Sequence, residues 1–256
     1  MRSRKGKGVS PEATTINPSI SVDASAVVQS KHPAVIETEG RETLPLPVTG
    51  LILCGGRSKR MGRPKAFLPF AGRTIIEHLI DTTREIFSEV FLVANEPDQY
   101  SHLTVDVVKD ILPYRGPLGG ILSGLLVSAN PFAFVIACDM PLVTRKLLRQ
   151  MATHRHDADV VVLSHAGSIE PLLGVYSKNC IKPLEESLFS GVLKVQDFLS
   201  GLKAKLYEYT PERPEGDDLP PFFNINTPQD YSAVLLRVKS SPHRSGHARR
   251  LIYPAP

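Results

Sequence analysis

Along the middle of the chain, apolar positions switch repeatedly between a strand-like and a helix-like period. Leu51-Ile52-Leu53 is too short an apolar run for a helix and reads as a buried strand. Residues 74–87 bring Ile75, Ile76, Leu79, Ile80 and Ile86 to one face, which predicts an amphipathic helix. Short strands are predicted over 89–94 and 105–108, ending at Asn95 and at Lys109-Asp110. From Gly116 to Cys138 there is no charge at all. Glycines and the Asn130-Pro131 turn break that stretch into a buried helix, 118–129, and a central strand, 132–138, so it is not a membrane span. Beyond it the pattern predicts a helix over 145–151 capped by Thr144, strands over 159–164 and 171–176, helices over 178–189 and 194–202, and a strand over 205–209. A last helix opens at Pro228 behind Thr227.

Strands alternating with helices predict an α/β fold: a three-layer α/β/α sandwich with a Rossmann-like, mostly parallel sheet. Ligands of such sheets lie beyond the carboxyl ends of the strands. Gly55, Gly56, Asn95 and Asp110 all fall at strand ends and are expected to line one crevice. Asp139 directly follows the apolar run FAFVIAC, and Pro141 stops that strand, so its carboxylate is placed at the mouth of the sheet. Alternation over 222–226 puts Asn224 and Asn226 on one face.

The net charge of +4 would suggest an anionic polymer as partner if it were concentrated in the folded part. It is not. Residues 1–47 hold six Lys/Arg against five Asp/Glu, and 239–256 hold four against none, which leaves 20 basic and 21 acidic residues in 48–238. No nucleic-acid partner is expected. The chain reads as a Pro/Ser-rich disordered extension (1–47), one domain (48–238) and a basic tail (239–256). Cys54, Cys138 and Cys180 have no C-x-x-C spacing and imply no disulfide framework, and no apolar segment follows the cationic start, so a cytoplasmic location is expected. His154 and His156 have no third ligand near them in sequence and are not read as a metal site.

The chemistry concentrates in 51–65, LILCGGRSKRMGRPK. A glycine pair after a strand exposes backbone N–H groups, and Arg57, Lys59, Arg60, Arg63 and Lys65 supply cations, a combination suited to a polyphosphate. Neither G-x-x-x-x-G-K-[ST] nor G-x-G-x-x-G occurs there. The string G-G-x-S-x-R-M-G-x-P-K instead resembles the signature of nucleotidyltransferases that join an NTP to a phosphorylated acceptor, and within them the molybdenum cofactor guanylyltransferases. Cys54 stands where alanine is usual, and the Gly62–Lys65 spacing is shared with cytidylyl and sugar relatives.

The resemblance covers about 48–238 through four segments in the family's order: 53–65, 116–121, 138–141 and 224–228. It implies transfer of GMP from GTP to the phosphate of molybdopterin, with Mg²⁺ as cofactor. It implies Arg60, Lys65 and Asp139 as catalytic residues and Asp139 as the metal ligand. Leu53, Cys54, Gly55, Gly56, Lys65, Asn95, Asp110 and Asp139 are the implied GTP contacts, and Asn224 and Asn226 the acceptor-side contacts. The segment EPLLGVY resembles one that faces the acceptor. Molybdenum-insertion enzymes and molybdoenzyme chaperones are the implied protein partners, with no membrane association. Transfer from CTP to the same cofactor, a sugar-phosphate nucleotidyltransferase and an inactive nucleotide-binding module stand as the alternatives.

Overall fold

In the computed structural model, which describes residues 44–55, 64–211 and 219–240, the sheet grows from β1 (Leu46–Cys54). Its side chains are buried on both faces apart from one position near its start, which places it centrally. A small hairpin, β2 (Pro69–Phe70) and β3 (Arg73–Thr74), leads into α1 (Ile75–Arg84). There follow β4 (Phe87–Ala94), β5 (Asp106–Lys109), α2 (Pro117–Val127), β6 (Phe132–Ala137) and α3 (Arg145–Ala152). The chain continues with β7 (Val160–His165), β8 (Ser168–Ser177), α4 (Ile181–Phe189), α5 (Val195–Leu199), β9 (Ala204–Glu208) and α6 (Pro228–Ser240). Seven strands form one sheet in the order β5-β4-β1-β6-β8-β7-β9.

Only β8 runs against its neighbours; the other adjoining pairs of this sheet are parallel. The cause is local. Ala166 and Gly167 alone join β7 to β8, with φ of 48° and 78°. Two residues cannot carry the crossover that a parallel pair needs, and positive φ at both positions is the geometry of a tight hairpin turn. The β8 strand therefore starts at Ser168, three residues before the predicted start at 171. Its register against β7 jumps from Val162↔Gly174 to Leu163↔Glu170, so Pro171, Leu172 and Leu173 bulge away from β7.

Alternation along β1 divides the core in two. Ile52 and Cys54 face one side, with Ile76 of α1, Leu148 of α3 and Val234 of α6. Leu51 and Leu53 face the other, with Leu122 of α2, Leu184 of α4 and Phe198 of α5. The result is the three-layer sandwich that the alternation of strands and helices predicts. On the second face α2 lies so close to β1 that a Cβ on Gly124 would come 2.4 Å from a Leu51 methyl. Among the described residues no helix is long and apolar enough to cross a membrane.

Helix ends follow the capping chemistry in the sequence. Thr74 and Glu77 close a capping box on α1, and the Thr144 hydroxyl accepts from Leu147 N on α3. The helix predicted over 74–87 stops at Arg84 because Phe87 already pairs with Leu46 in the sheet. The one predicted over 178–189 begins as a 3₁₀ turn, Lys178–Cys180, with Ser177 capping Asn179 N.

Candidate active site

Because β1, β4, β5 and β6 are parallel, their carboxyl ends share one edge of the sheet. The start of β8, which runs the other way, reaches the same edge. Gly55, Asn95, Asp110, Asp139 and Glu170 are brought there by these strands. Gly56 and Arg60, both expected in the site, lie outside the described residues.

Lys65 is the hub. Pro64, in an extended conformation, starts the chain into a 3₁₀ turn, Lys65–Phe67, from which the lysine crosses to the end of β6. Its Nζ donates to Asp139 Oδ2 at 3.1 Å and to Asn226 Oδ1 at 2.9 Å. The side chains of Lys65 and Asp139 are 17% and 23% exposed, so the pair is half-shielded but open to a ligand. An ammonium has three donors, and two are engaged here among the described residues. Asp139 is thus paired through Lys65.

The segment before α6 is fastened to this pair. Ile225 N donates to the Asp139 carbonyl at 2.9 Å. The Asp230 carboxylate accepts from Asn226 N at 2.8 Å and Thr227 N at 2.7 Å, while Asp230 N donates to Thr227 Oγ1 at 3.2 Å. The backbone N–H of Asn226 is the main reason that the Asp230 carboxyl lies below its ordinary range. Tyr231 Oη donates to Pro69 O at 2.5 Å, tying α6 to the hairpin just after Lys65. Residues 222–226 form no strand, yet Asn226 reaches Lys65 and Asn224 lies close enough to Glu170 to act on its carboxyl.

Glu170 carries no role in the sequence reading beyond its place in EPLLGVY. The bulge begins directly after it, and Asn224 and Asp139 are the groups that act on its carboxyl. Burial pushes that carboxyl above its usual range; the Asn224 hydrogen bond opposes this, and the Asp139 charge adds to it. Only the hairpin signal at Ala166-Gly167 could have shown that Glu170 lies at this edge.

On the other flank, Asn95 Oδ1 accepts from Tyr114 N at 3.3 Å. Asp110 is buried, and its Oδ1 accepts from Leu112 N at 2.9 Å and Ser123 Oγ at 3.1 Å. Burial raises its carboxyl above the ordinary range, and those two donors oppose the shift. Both residues therefore shape the 111–116 loop that leads into α2. The first turn of α2 has no side-chain cap at Gly116, its residues Leu118 to Gly120 are buried, and the Asp110 carboxylate packs against Gly119. Leu53 and Cys54 are buried in β1, so only their backbone can meet a ligand.

A divalent ion fits this donor set if it is one that keeps its waters. Among the described residues no three His, Cys, Asp or Glu side chains converge on one point. Mg²⁺ needs only one or two carboxylates and completes its shell with water and substrate phosphate oxygens. His154 takes no part: its Nδ1 pairs with Asp157 Oδ2 at 2.9 Å on the surface.

A lysine facing the carboxylate that follows β6, at the carboxyl edge of a mostly parallel sheet, suits an α/β protein that handles phosphate-bearing ligands. The sequence comparisons narrow this: the chain belongs to the family of MobA-like NTP transferase domains, which its residues 50–205 match. A probable molybdenum cofactor guanylyltransferase from Carboxydothermus hydrogenoformans is 40% identical over 190 residues, spanning 73% of this chain and 95% of that relative. The molybdenum cofactor guanylyltransferase of Desulfosudis oleivorans is 32% identical over 195 residues, spanning 75% of this chain and 96% of its own. Among solved structures, molybdopterin-guanine dinucleotide biosynthesis protein A from Archaeoglobus fulgidus has a TM-score of 0.66 over 75% of this chain and 99% of that one, at 24% identity, a likeness of fold.

Proposed function

We propose that the chain transfers GMP from GTP to the terminal phosphate of molybdopterin, releasing pyrophosphate and forming the guanine dinucleotide cofactor. The observation that carries this reading is the Lys65–Asp139–Asn226 cluster at the edge where the glycine-ended β1 opens, in a chain whose relatives bear the guanylyltransferase name. An acceptor phosphate monoester has its second pKa at about 6, so it is already a dianion near neutral pH and needs no general base. Its oxygen attacks the α-phosphorus of GTP; a new P–O bond forms as the bond to the β-phosphate breaks, and pyrophosphate leaves.

What must be overcome is repulsion between two polyanions and loose alignment. Lys65 turns its remaining donor to the triphosphate and screens the leaving pyrophosphate, together with Arg60. Asp139 is the residue that would hold Mg²⁺, which when bound supplies positive charge to the phosphate oxygens. The backbone of Leu53, Cys54, Gly55 and Gly56 receives the nucleotide, with Asn95 and Asp110 on its flank. Asn224, Asn226 and Glu170 line the acceptor side. Residues 48–238 form the catalytic unit, which works in the cytoplasm and hands its product to molybdoenzyme chaperones or takes substrate from molybdenum-insertion enzymes.

One panel tests the reading. Pyrophosphate release is measured with each of four NTPs, Mg²⁺ and molybdopterin. GTP is expected to be used far faster than CTP; equal or reversed rates would put the chain in the cytidylyl branch. No release with any NTP would leave a binding module.

A further inference from the structure

The sheet register brings two thiols together at the floor of the crevice. Leu53 of β1 lies opposite Ala137 of β6, and Cys138 N donates to Leu53 O at 3.2 Å. The next residues on the two strands are Cys54 and Cys138. Both side chains turn to the same face of the sheet and join one core cluster. Cys138 and Tyr100 are neighbours of the Cys54 thiol, which burial pushes well above its usual range. Tyr100 is held in place by Phe67, whose ring stacks on it at 5.2 Å, two residues beyond Lys65. Cys54 is buried and Cys138 half-exposed, while Cys180 is buried in the opposite core cluster.

We propose that Cys54 and Cys138 form a reversible redox pair whose oxidation to a disulfide shuts the site at this edge. Neighbouring strands place paired Cα atoms about 4.8 Å apart, inside the range of about 4.4–6.8 Å that disulfides use. The Cβ atoms must close to about 3.8 Å, so the strand ends must pinch. They can do so here, since Cys54 ends β1 and Cys138 lies one residue past β6.

The oxidant is a hydroperoxide such as hydrogen peroxide. The half-exposed Cys138 sulfur attacks the peroxide oxygen, becoming a sulfenic acid as water leaves. The Cys54 sulfur then displaces the sulfenic hydroxyl, which departs as a second water, and the S–S bond forms. Two thiols are oxidised and one peroxide is reduced to water. A small dithiol reverses the step by exchange. The disulfide joins the residue before Gly55 to the residue before Asp139 and so displaces both. That consequence rests on the proposed function; the bond itself does not.

The test uses the full chain. Reduced protein is treated with hydrogen peroxide, remaining thiols are alkylated, and peptides are mapped by mass without reduction. A peptide pair joined through Cys54 and Cys138, lighter by two hydrogens, is expected, with Cys180 alkylated only after unfolding. Turnover of GTP is expected to fall on the order of a hundredfold, the scale of a misplacement near 1 Å, and to return with dithiothreitol. In Cys54→Ala and in Cys138→Ala the ratio of oxidised to reduced turnover is expected to stay near one. Sulfinic acid at Cys138 beside a free Cys54 thiol would overturn the pair. A quantitative cross-link with undiminished turnover would overturn the shut-off. The cross-link is read by mass whether or not reduced protein uses GTP, so failure of the pair and failure of the guanylyltransferase reading are separate results.

Discussion

Asp139→Asn separates the two duties of this carboxylate. The amide keeps the shape and one oxygen but removes the negative charge that faces Lys65 Nζ at 3.1 Å. At an effective dielectric of about 20, two unit charges at that distance attract by about 5 kcal/mol. Desolvation of both groups cancels most of it. The pair is 17% and 23% exposed, between a surface pair and a sealed one. The net loss on folding should be about 1–2 kcal/mol, softened because Lys65 retains Asn226. For a folded unit of this size that lowers Tm by roughly 2–8 °C.

Turnover should suffer far more. Removing one preorganised charge from a transition state in a shielded site costs about 3–4 kcal/mol, a few hundredfold in rate. A loss of about 1–2 kcal/mol is small beside the roughly 5–15 kcal/mol typical of a folded domain, so the drop in rate is expected without unfolding. Lys65, released from its counter-charge, keeps its affinity for phosphate, and KM for GTP should therefore hold or fall while kcat drops. Steady-state kinetics over a Mg²⁺ series, beside a melting curve, reads both effects. Near-native kcat at ordinary Mg²⁺ would remove Asp139 from the mechanism; an unchanged Tm would show that the Lys65 pair contributes nothing to folding.

Asp110→Asn should trade stability against activity. Its carboxyl is raised by burial, so as pH rises the unfolded chain ionises first and the folded state loses stability through that window. The amide should melt higher than the native chain at pH 7. The difference should close below the unfolded carboxyl value of about 3.9, while GTP turnover falls. A lower Tm at pH 7 would mean that the charge is compensated. Gly124→Ala forces a methyl to within 2.4 Å of Leu51; overpacking of about 1–3 kcal/mol should appear in chemical denaturation with the GTP-to-CTP preference unchanged. Trimming to residues 44–240 should leave turnover intact, as a rate assay on the shortened chain can check; an inactive but folded product would assign one end to the site.

What could be read from the sequence was what local pattern encodes. Apolar runs end where strands end, so Asn95, Asp110 and Asp139 could be placed at the sheet edge before any coordinates. The caps Thr144 and Thr227 marked helix starts for the same reason, and each accepts from the first turn of its helix. The Lys65 contacts could not be read. Asp139 lies 74 residues away and Asn226 lies 161 away, and no periodicity links positions at that separation. The meeting of Cys54 and Cys138 was hidden likewise, since it depends on which strands adjoin and in which register.

Glu170 shows how much one short turn decides. Had β8 joined the sheet parallel to β6, its carboxyl end would face the crevice, with Lys178 there instead. Glu170 would then lie toward the opposite edge, about 24 Å away over seven residues of strand. The crevice would gain a cation and lose a carboxyl. The reversal follows from Ala166-Gly167, where positive φ at both residues closes the hairpin, and it leaves Glu170 where Asn224 and Asp139 act on its carboxyl. The acidity of this flank of the crevice is therefore set by a two-residue turn, Ala166-Gly167, at the start of β8. Lengthening that turn by one residue would slip the register and exchange the faces of β8, removing Glu170 from Asn224 while leaving Lys65, Asp139 and the nucleotide side in place.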